Sequence, residues 1–434
     1  MVRTDRQLPT PDFYDYPWVP ADSVSIEGRF VHVRWSDGTE LAAFDWWLLE
    51  NAVGRGGVDL ATREHLRDPA ELTSEMAVVA AELGDGGSLL ITFAPDSSVA
   101  EFHPGWLRHV ADGQHRAQSW MPEPIRWTTE TFHEPPTHDG GRVLDDQAVF
   151  GAWLDDLVGY GIARLRGCPL DPNFNAVLAA KIGPIRDTNF GTVWDVKADV
   201  EMAGAADTNS TANTTLRLGP HTDLPTRETP PGFQFLHCVV NETAGGFSTM
   251  ADGEAVVEAF RTEHPDHYDA LTTLNWIFFN RGPGIDHRWS GPFIDHGVEG
   301  APLTLRAFYP VRAFPDMAPA DQPRAYEAMR VFSQLAASDR FQIAYPFEPG
   351  DLIGFDNRRI LHGRDAFESS GRRHLRGMYI DQDEVRSTTR VVNRRLARAN
   401  TDLDRKCRAK HSSYELQQIE HGSRPEVSSE REQS

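Results

Sequence analysis

Cysteine is scarce in this chain of 434 residues. Only Cys168, Cys238 and Cys407 occur; they lie far apart, and no Cys-x-x-Cys pair is present. Isolated cysteines argue against a disulfide framework and against a zinc site built from cysteine. Reduced thiols in an intracellular enzyme are the remaining expectation.

Long apolar runs and basic clusters are also missing. The first twenty residues contain no apolar segment typical of a secretory signal, and no later run approaches the length of a membrane span. The formal net charge is -21, whereas binding of nucleic-acid phosphates needs clustered Lys and Arg. We therefore expect a cytoplasmic protein that binds neither membrane nor nucleic acid.

The sequence pattern changes several times along the chain, which is long enough for two or three domains. We expect an irregular N-terminus, a small α+β domain, a polar linker, a large mainly β domain with flanking helices, and a charged, disordered tail. These five parts are residues 1–20, 21–110, 111–145, 146–395 and 396–434.

Hydrophobic periodicity predicts the elements of both domains. In the small domain, alternation predicts strands at 31–35 and 88–93, and helical spacing predicts a helix at 72–83. In the large domain, many short strands between Gly, Pro and Asn turns are typical of a closed or sandwiched sheet such as a jelly roll. Its predicted helices are 148–161, 174–182, 255–263 and 324–337.

Three His-x-Asp strings occur, so the string alone is weak evidence for a metal site. Those beginning at His264 and His267 lie at the end of a predicted surface helix, and a solvated face explains them. The third, His221-Thr222-Asp223, lies in a turn between two strand-like runs. There, alternation turns His221 and Asp223 to the same side, where one metal ion can bind both.

A distant histidine, His362, is the candidate for the third ligand. It follows a Pro-Gly-Asp turn and a predicted strand. Two imidazoles and one carboxylate on one face of Fe(II) leave three positions for a cosubstrate and oxygen. Taken by itself, His362 is more simply explained as an ordinary loop histidine, but its surroundings favour the ligand.

Arg373 lies eleven residues beyond His362, in the GRRHLRGMYID run. A 2-oxoglutarate molecule that chelates iron through its keto and C1 oxygens needs a cation for its C5 carboxylate, and arginine binds carboxylates in a bidentate manner. Arg372 and Arg376 are rivals. In a strand, however, both face away from the side of Arg373, and a solvated basic face explains them.

Several segments together resemble the gamma-butyrobetaine hydroxylase and trimethyllysine hydroxylase group of the taurine dioxygenase-like superfamily. The resemblance implies a double-stranded β-helix (jelly roll) with Fe(II) at His221, Asp223 and His362. It also implies 2-oxoglutarate at Arg373 and Ser248, O2 as oxidant, and a small accessory domain that often helps to form a homodimer. The matching segments are 183–196, 221–238, 244–253, 349–367 and 373–381.

The accessory domain departs from the family pattern at its zinc site. The family commonly binds zinc there through three Cys and one His, whereas this chain has Ala52, Gly54, Gly57 and Ser98 at those positions. Structural zinc is therefore not expected, and we predict that tryptophans, among them Trp35, Trp47 and Trp106, hold the domain core.

The substrate positions depart as well. Relatives that bind a trimethylammonium group surround it with aromatic rings. Phe190, Trp194 and Tyr379 match those positions, whereas Asn213 and Leu224 stand where tyrosine is expected. The LRAFYPVRAF segment also differs from the family's Asn-containing run, and ordinary core packing is an alternative role for Phe190 and Trp194. The predicted substrate-binding residues are Phe190, Trp194, Asn213, Leu224, Tyr309 and Tyr379.

We expect a dioxygenase that hydroxylates an unactivated C–H bond of a small polar substrate and releases succinate and CO2. Related halogenases replace the carboxylate ligand with a small residue, so Asp223 argues against halogenation, while desaturation stays open. The alternatives are a trimethylammonium-compound hydroxylase, including one for gamma-butyrobetaine itself, a non-catalytic binding or scaffold protein, and a cupin-like metal hydrolase.

Overall fold

The computed structural model describes residues 8–198, 215–279, 284–297, 302–307, 313–367 and 371–399. The chain divides into two compact units, Met1–Ser119 and Trp120–Ser434. None of the helices in the described part is both long and apolar enough to cross a membrane.

The first unit contains two antiparallel three-stranded sheets, ordered β1-β2-β3 and β4-β5-β6, and two short α-helices. Its described residues before the first strand, 8–22, form neither helix nor strand. The elements are β1 Ser23–Glu27, β2 Phe30–Arg34, β3 Glu40–Phe44, α1 Asp45–Glu50, β4 Val78–Leu83, β5 Leu89–Phe93, β6 Ser98–Phe102 and α2 Pro104–Ala111.

Alternating apolar residues form the core of this unit. Val31 and Val33 of β2 are fully buried, as are Leu89 and Ile91 of β5, because every second side chain of a strand points to the same face. The three predicted tryptophans belong to this core, with Trp47 at its partly buried margin. The indole rings of Trp47 and Trp106 stack at 5.2 Å.

The predicted helix at 72–83 is wrong. A short 3-10 turn, Pro69–Glu71, is followed by strand β4. A register shift between Val78 and Ala80 in the β4–β5 pair breaks the simple alternation, and Val79 is 57% exposed. Such an extra residue mimics helical spacing in the sequence, because it moves the following apolar residues out of period two.

The second unit combines fifteen described strands with helices. In chain order, its elements are β7 Thr137–Asp139, α3 Gln147–Gly159, β8 Ile162–Arg166, α4 Phe174–Ile182, β9 Val193–Ala198, β10 Leu218–His221, β11 Phe233–Asn241, β12 Ser248–Asp252, α5 Gly253–Glu263, α6 Pro265–Thr273, β13 Asn275–Phe279, β14 Arg288–Pro292, β15 Ile294–Asp295, β16 Thr304–Leu305, β17 Ala313–Asp316, α7 Gln322–Ala336, β18 Gln342–Tyr345, β19 Leu352–Asp356, β20 Ile360–Arg364 and β21 Arg373–Ile380. Residues 382–399 are helical.

Two sheets of this unit position the candidate site. One has six strands in the order β7-β8-β19-β11-β21-β9, and the other has four in the order β10-β20-β12-β18. Met250 and Ile343 of the smaller sheet share a buried apolar cluster with Cys238, Ile353 and Leu375 of the larger one. The inner faces of the two sheets therefore pack against each other.

Helices cover the outer faces. Buried residues of α3 and α4 pack against Phe233 and Phe235 of the six-stranded sheet. Helices α5, α6 and α7 pack together around Phe260 and Phe332. The four helices predicted for this domain are confirmed as α3, α4, α5 and α7. Helix α6, which begins with Pro265 at its first turn, was missed.

The segment predicted as a linker contributes to the core of the second unit. Trp127 and Phe132 are buried, and their rings stack at 4.3 Å. Strand β7 pairs in parallel with β8. The many prolines and polar residues around these two aromatic side chains concealed their burial.

Candidate metal centre

The three predicted metal ligands lie together. His221, at the end of β10, is paired directly with His362 of β20, so both imidazoles project from the same face of the sheet. Asp223 follows in the turn. The ligand atoms of the three residues all lie within 4.8 Å of one another, which fits one Fe(II) ion on two imidazoles and one carboxylate.

The protonation of these groups suits a metal. Burial, with the nearby His221, lowers the pKa of His362 to about 3, so its ring is neutral at pH 7. His221 Nδ1 lies 2.9 Å from the carbonyl oxygen of Gly219. A proton on Nδ1 makes this bond and leaves the Nε2 lone pair for a metal.

The carboxylate of Asp223 is ionised. Burial opposes ionisation, but His362, His221 and Tyr379 together hold its pKa well below the usual range. Its Oδ1 lies 3.5 Å from His221 Nε2, and its Oδ2 lies 3.7 Å from His362 Nε2. One negative charge therefore faces two imidazole rings, which is a donor set that attracts a divalent cation.

Two further residues hold Asp223. The Asn357 side chain accepts a hydrogen bond from the Asp223 N–H at 2.7 Å and donates one to the Asp223 carbonyl oxygen at 3.0 Å. The Tyr379 hydroxyl donates to Asp223 Oδ2 at 2.7 Å. Sequence reasoning missed Asn357 and placed Tyr379 only among the substrate residues. The position of Asn357 between two predicted strands near His362 was the available signal.

Arg373 is a buried cation with unused hydrogen-bonding capacity. Only 3% of it is exposed, its Nε–H has no partner, and no carboxylate lies within ion-pair distance among the residues that the structure describes. Burial lowers its pKa. A buried, unpaired guanidinium is unfavourable unless an anion binds it. This observation fits the C5 carboxylate of 2-oxoglutarate.

The rival arginines lie elsewhere. Arg372 is exposed and forms an ion pair with Glu242, with the closest N–O distance at 2.6 Å. Arg376 lies 3.4 Å from Asp195. Arg376 lies on the opposite face of β21 from Arg373, as the alternation of a strand requires, and Arg372 directly precedes the strand.

Arg364 is a cationic residue that sequence reasoning missed. It is buried on β20, two residues beyond His362, and it is paired directly with the buried Ser248 of β12. The Arg364 and Arg373 guanidinium groups lie 4.7 and 5.7 Å from the ring centre of Phe367. Burial, with Arg373 nearby, lowers the pKa of Arg364 to about 10. Ser248 therefore lies in a strongly cationic part of the site.

Tyr379 and Leu224, two of the predicted substrate residues, adjoin the metal ligand Asp223. The rings of Trp194 and Tyr379 are 5.4 Å apart, and the buried Trp194 indole N–H has no hydrogen-bond partner within the described part of the chain. Leu224, directly after Asp223, is buried with a φ of 51°, a conformation that costs a branched residue on the order of 1 kcal/mol. Phe190 is 44% exposed. Asn213 and Tyr309 lie outside the described residues.

In the first unit, backbone hydrogen bonds close the loop at the family's zinc positions. Gly54 N–H donates to Val58 O at 2.9 Å, and Val58 N–H donates to Ala52 O at 3.2 Å. A Cβ on Gly57 would lie 2.3 Å from the carbonyl oxygen of Leu49. A cysteine at position 57 would therefore require this loop to move.

A two-histidine, one-carboxylate group, in a unit that also contains the buried Arg373, defines an iron- and 2-oxoglutarate-dependent dioxygenase. The chain belongs to the family described as taurine catabolism dioxygenase TauD, TfdA family, whose sequence profile matches residues 125–379. It is similar to gamma-butyrobetaine dioxygenase of Pseudomonas sp. (strain AK-1), with 36% identity over 88% of this chain and 99% of that protein.

Other relatives have related names. Gamma-butyrobetaine dioxygenase of Homo sapiens is 29% identical over 70% of this chain and 80% of its own length. The mitochondrial trimethyllysine dioxygenase of Gallus gallus is 27% identical over 85% and 87%, respectively. The solved structure of PvcB, an Fe, alpha-ketoglutarate dependent oxygenase, has a TM-score of 0.43 and 19% identity, covering 59% of this chain and 90% of that one.

Proposed function

We propose that the chain hydroxylates a C–H bond of a small polar substrate on a metal bound by His221, Asp223 and His362. The overall reaction consumes substrate, O2 and 2-oxoglutarate and yields hydroxylated substrate, succinate and CO2. The observation that carries the proposal is the preformed triad of ligands, together with a buried arginine that has no carboxylate partner among the described residues.

Iron supplies the oxygen-activating chemistry, and the protein supplies binding and orientation. The neutral imidazole of His362 and the ionised carboxylate of Asp223 would bind the metal at neutral pH without first losing a proton. The carboxylate also fills the position that a halogenase leaves open for halide. Hydroxylation is therefore favoured over halogenation, and desaturation is the second outcome that this ligand set permits.

Arg373 and Ser248 are the proposed contacts for the C5 carboxylate of 2-oxoglutarate. Arg373 is a buried cation without an ion-pair partner among the described residues, and Ser248 is paired with Arg364, which also contacts Phe367. A buried charge-assisted pair is strong when both partners lose water together. Binding of 2-oxoglutarate would therefore supply the anion that Arg373 lacks.

A gamma-butyrobetaine-type substrate is the second candidate. The adjacent rings of Trp194 and Tyr379 favour it, because aromatic faces attract a quaternary ammonium group, and the similar Pseudomonas protein is named for that compound. Leu224, in place of an aromatic residue, favours altered substrate scope. Phe190, Asn213 and Tyr309 remain proposed substrate contacts.

The finer architecture is part of the same proposal. The two sheets that pack face to face around the site support a double-stranded β-helix for residues 146–395. We further propose an accessory domain at 21–110, assembly as a homodimer and a cytoplasmic location, each of which stays a prediction.

The decisive test measures succinate formation with Fe(II), 2-oxoglutarate and a panel of quaternary amines, amino acids and phosphonates. We expect one compound to stimulate turnover by the wild type and the His221→Ala variant to be inactive. An anaerobic titration should also give the visible charge-transfer band of an iron–2-oxoglutarate complex. If neither turnover nor the band appears, the oxygenase proposal is wrong and a binding-protein function replaces it.

A further inference from the structure

Asp223 is held at its backbone by a side chain from a distant part of the sequence. Asn357, fully buried in the turn between β19 and β20, bonds both the N–H and the carbonyl oxygen of Asp223 and also donates to the Pro231 carbonyl oxygen at 3.2 Å. The peptide position of Asp223 is therefore fixed. The remaining freedom of its carboxylate is rotation about the side-chain bonds.

Tyr379 restricts that rotation. Its hydroxyl, on a residue that is 1% exposed, donates to Asp223 Oδ2 at 2.7 Å. This oxygen is therefore engaged by a hydroxyl, whereas Oδ1 lies 3.5 Å from Nε2 of His221, the imidazole nitrogen that would bind the same metal ion. A carboxylate with one oxygen bound in this way is biased towards metal coordination through the other oxygen.

The ring of Tyr379 is fixed as well. It lies 5.4 Å from the ring of Trp194, and Trp194 in turn lies against the backbone of Gly377, where an added Cβ would be 2.2 Å from the indole. Tyr379 and Gly377 lie on the same face of β21 as Arg373, because they alternate along the strand. One strand face thus carries both the proposed 2-oxoglutarate contact and the tyrosine.

We propose that Tyr379 is a positioning residue for the iron ligand Asp223, in addition to any contact that its ring makes with substrate. The hydroxyl orients the carboxylate so that one oxygen binds metal, which keeps coordination positions open for 2-oxoglutarate and oxygen. This inference rests on the proposed function, because it assumes that the triad binds a divalent metal. It separates the role of the hydroxyl from the role of the ring.

The Tyr379→Phe variant removes the hydroxyl and keeps the ring. Anaerobic Mn(II) titration of the full-length protein, followed by electron paramagnetic resonance, measures metal binding without turnover. We expect Mn(II) affinity to fall about 10- to 100-fold, the typical cost of losing such an outer contact to a metal ligand. The charge-transfer band of the anaerobic Fe(II)–2-oxoglutarate complex should also shift in wavelength.

Tyr326→Phe is the matched control, since it also removes a tyrosine hydroxyl, from a partly exposed residue of α7 that lies outside the triad. Its Mn(II) affinity should stay within about twofold of wild type, because no contact to Asp223 is lost. Wild-type Mn(II) affinity and an unshifted band in Tyr379→Phe would overturn the proposal. Absence of Mn(II) binding and of the band in the wild type would instead reject the iron-site function on which it rests.

Discussion

At the scale of single residues, the site combines two imidazoles, an ionised carboxylate and buried guanidinium groups. The same physical cause, removal of water, lowers the pKa of His362, Arg364 and Arg373. For His362 the result is a free lone pair for metal. For Arg373 the result is a cation that needs an anion. Both consequences favour loading of the site by metal and a dicarboxylate.

Replacement of Arg373 by Gln should weaken 2-oxoglutarate binding. Loss of a buried charge-assisted contact costs about 2–3 kcal/mol, or roughly a 30- to 150-fold rise in the KM for 2-oxoglutarate. Steady-state assays of succinate formation measure this KM. Arg372→Gln, which removes an exposed guanidinium from the residue directly before that strand, should leave that KM unchanged. Equal effects of the two substitutions would reject Arg373 as the carboxylate contact.

Replacement of Asn357 by Leu should destabilise the protein strongly. The similar-sized side chain leaves the Asp223 N–H and two carbonyl oxygens buried without partners, at a cost of about 2–4 kcal/mol. Urea denaturation of the metal-free protein tests this loss. Asn173→Ala, at an exposed residue whose side chain makes no helix-capping bond, serves as the control. A loss below 1 kcal/mol in Asn357→Leu would contradict the structural assignment.

His237 should make stability depend on pH. Burial, with His374 and Arg376 nearby, lowers its pKa to about 4, and neither ring nitrogen has a partner among the described residues. The unfolded chain binds a proton near pH 6.5 and the folded chain near pH 4. Above pH 6.5, His237 therefore does not lower the free energy of unfolding. As the pH falls from 6.5 to about 4, the free energy of unfolding decreases by about 3 kcal/mol in all.

The His237→Leu variant removes this contribution. Urea denaturation in the presence of a chelator, from pH 7 down to pH 4, should show a smaller loss of unfolding free energy than in wild type. The chelator keeps metal from changing the comparison. Parallel pH profiles for the two proteins would show that His237 does not titrate between these values.

At the scale of elements, sequence periodicity predicts a strand or helix best where a single period holds throughout. Strands β2 and β5 and helix α4 were predicted because each keeps one spacing of apolar residues. Strand β4 was not, because its bulge disturbs the alternation. Helix α6 was hidden because its polar residues directly follow α5 and only Pro265 marks its start.

The candidate site shows the same limit. The His-x-Asp spacing and the Arg373 position can be read locally, since the first joins the end of β10 to the turn that follows it and the second follows from alternation along β21. Asn357 and Arg364 could not be assigned, because their partners are backbone atoms distant in sequence. The Tyr379–Asp223 bond likewise depends on how two sheets meet. Local patterns predict the metal ligands, whereas the contacts that orient them require the folded chain.

The contact of the Trp194 ring, on β9, with the neighbouring strand β21 depends on Gly377. Since an added Cβ would be 2.2 Å from the Trp194 ring, Gly377→Ala should displace the indole and destabilise the fold by about 1–3 kcal/mol. Thermal unfolding and tryptophan fluorescence measure both effects. Gly284→Ala, where an added Cβ meets nothing within 4 Å, is the control. Wild-type stability in Gly377→Ala would show that the indole readily moves aside.

At the scale of the whole molecule, the metal ligands belong to only one of the two compact units. Anaerobic Mn(II) at 100 times its Kd should stabilise the unit that contains the triad by about 2.7 kcal/mol. Differential scanning calorimetry should show a heat-absorption transition that moves upward with Mn(II) and returns with EDTA. His221→Ala should abolish the shift. An Mn(II)-dependent shift that survives in this variant would place binding elsewhere.

The direct pairing of His221 with His362 has a consequence for the lifetime of the protein. Strand β10 is at the edge of the described four-stranded sheet, and its register with β20 is interrupted by a bulge. A bound ion ties this weakly held edge to its neighbour, whereas loss of the ion frees it to open locally. Iron starvation would then expose the chain to proteases at β10, so metal supply would set the abundance of the enzyme as well as its activity.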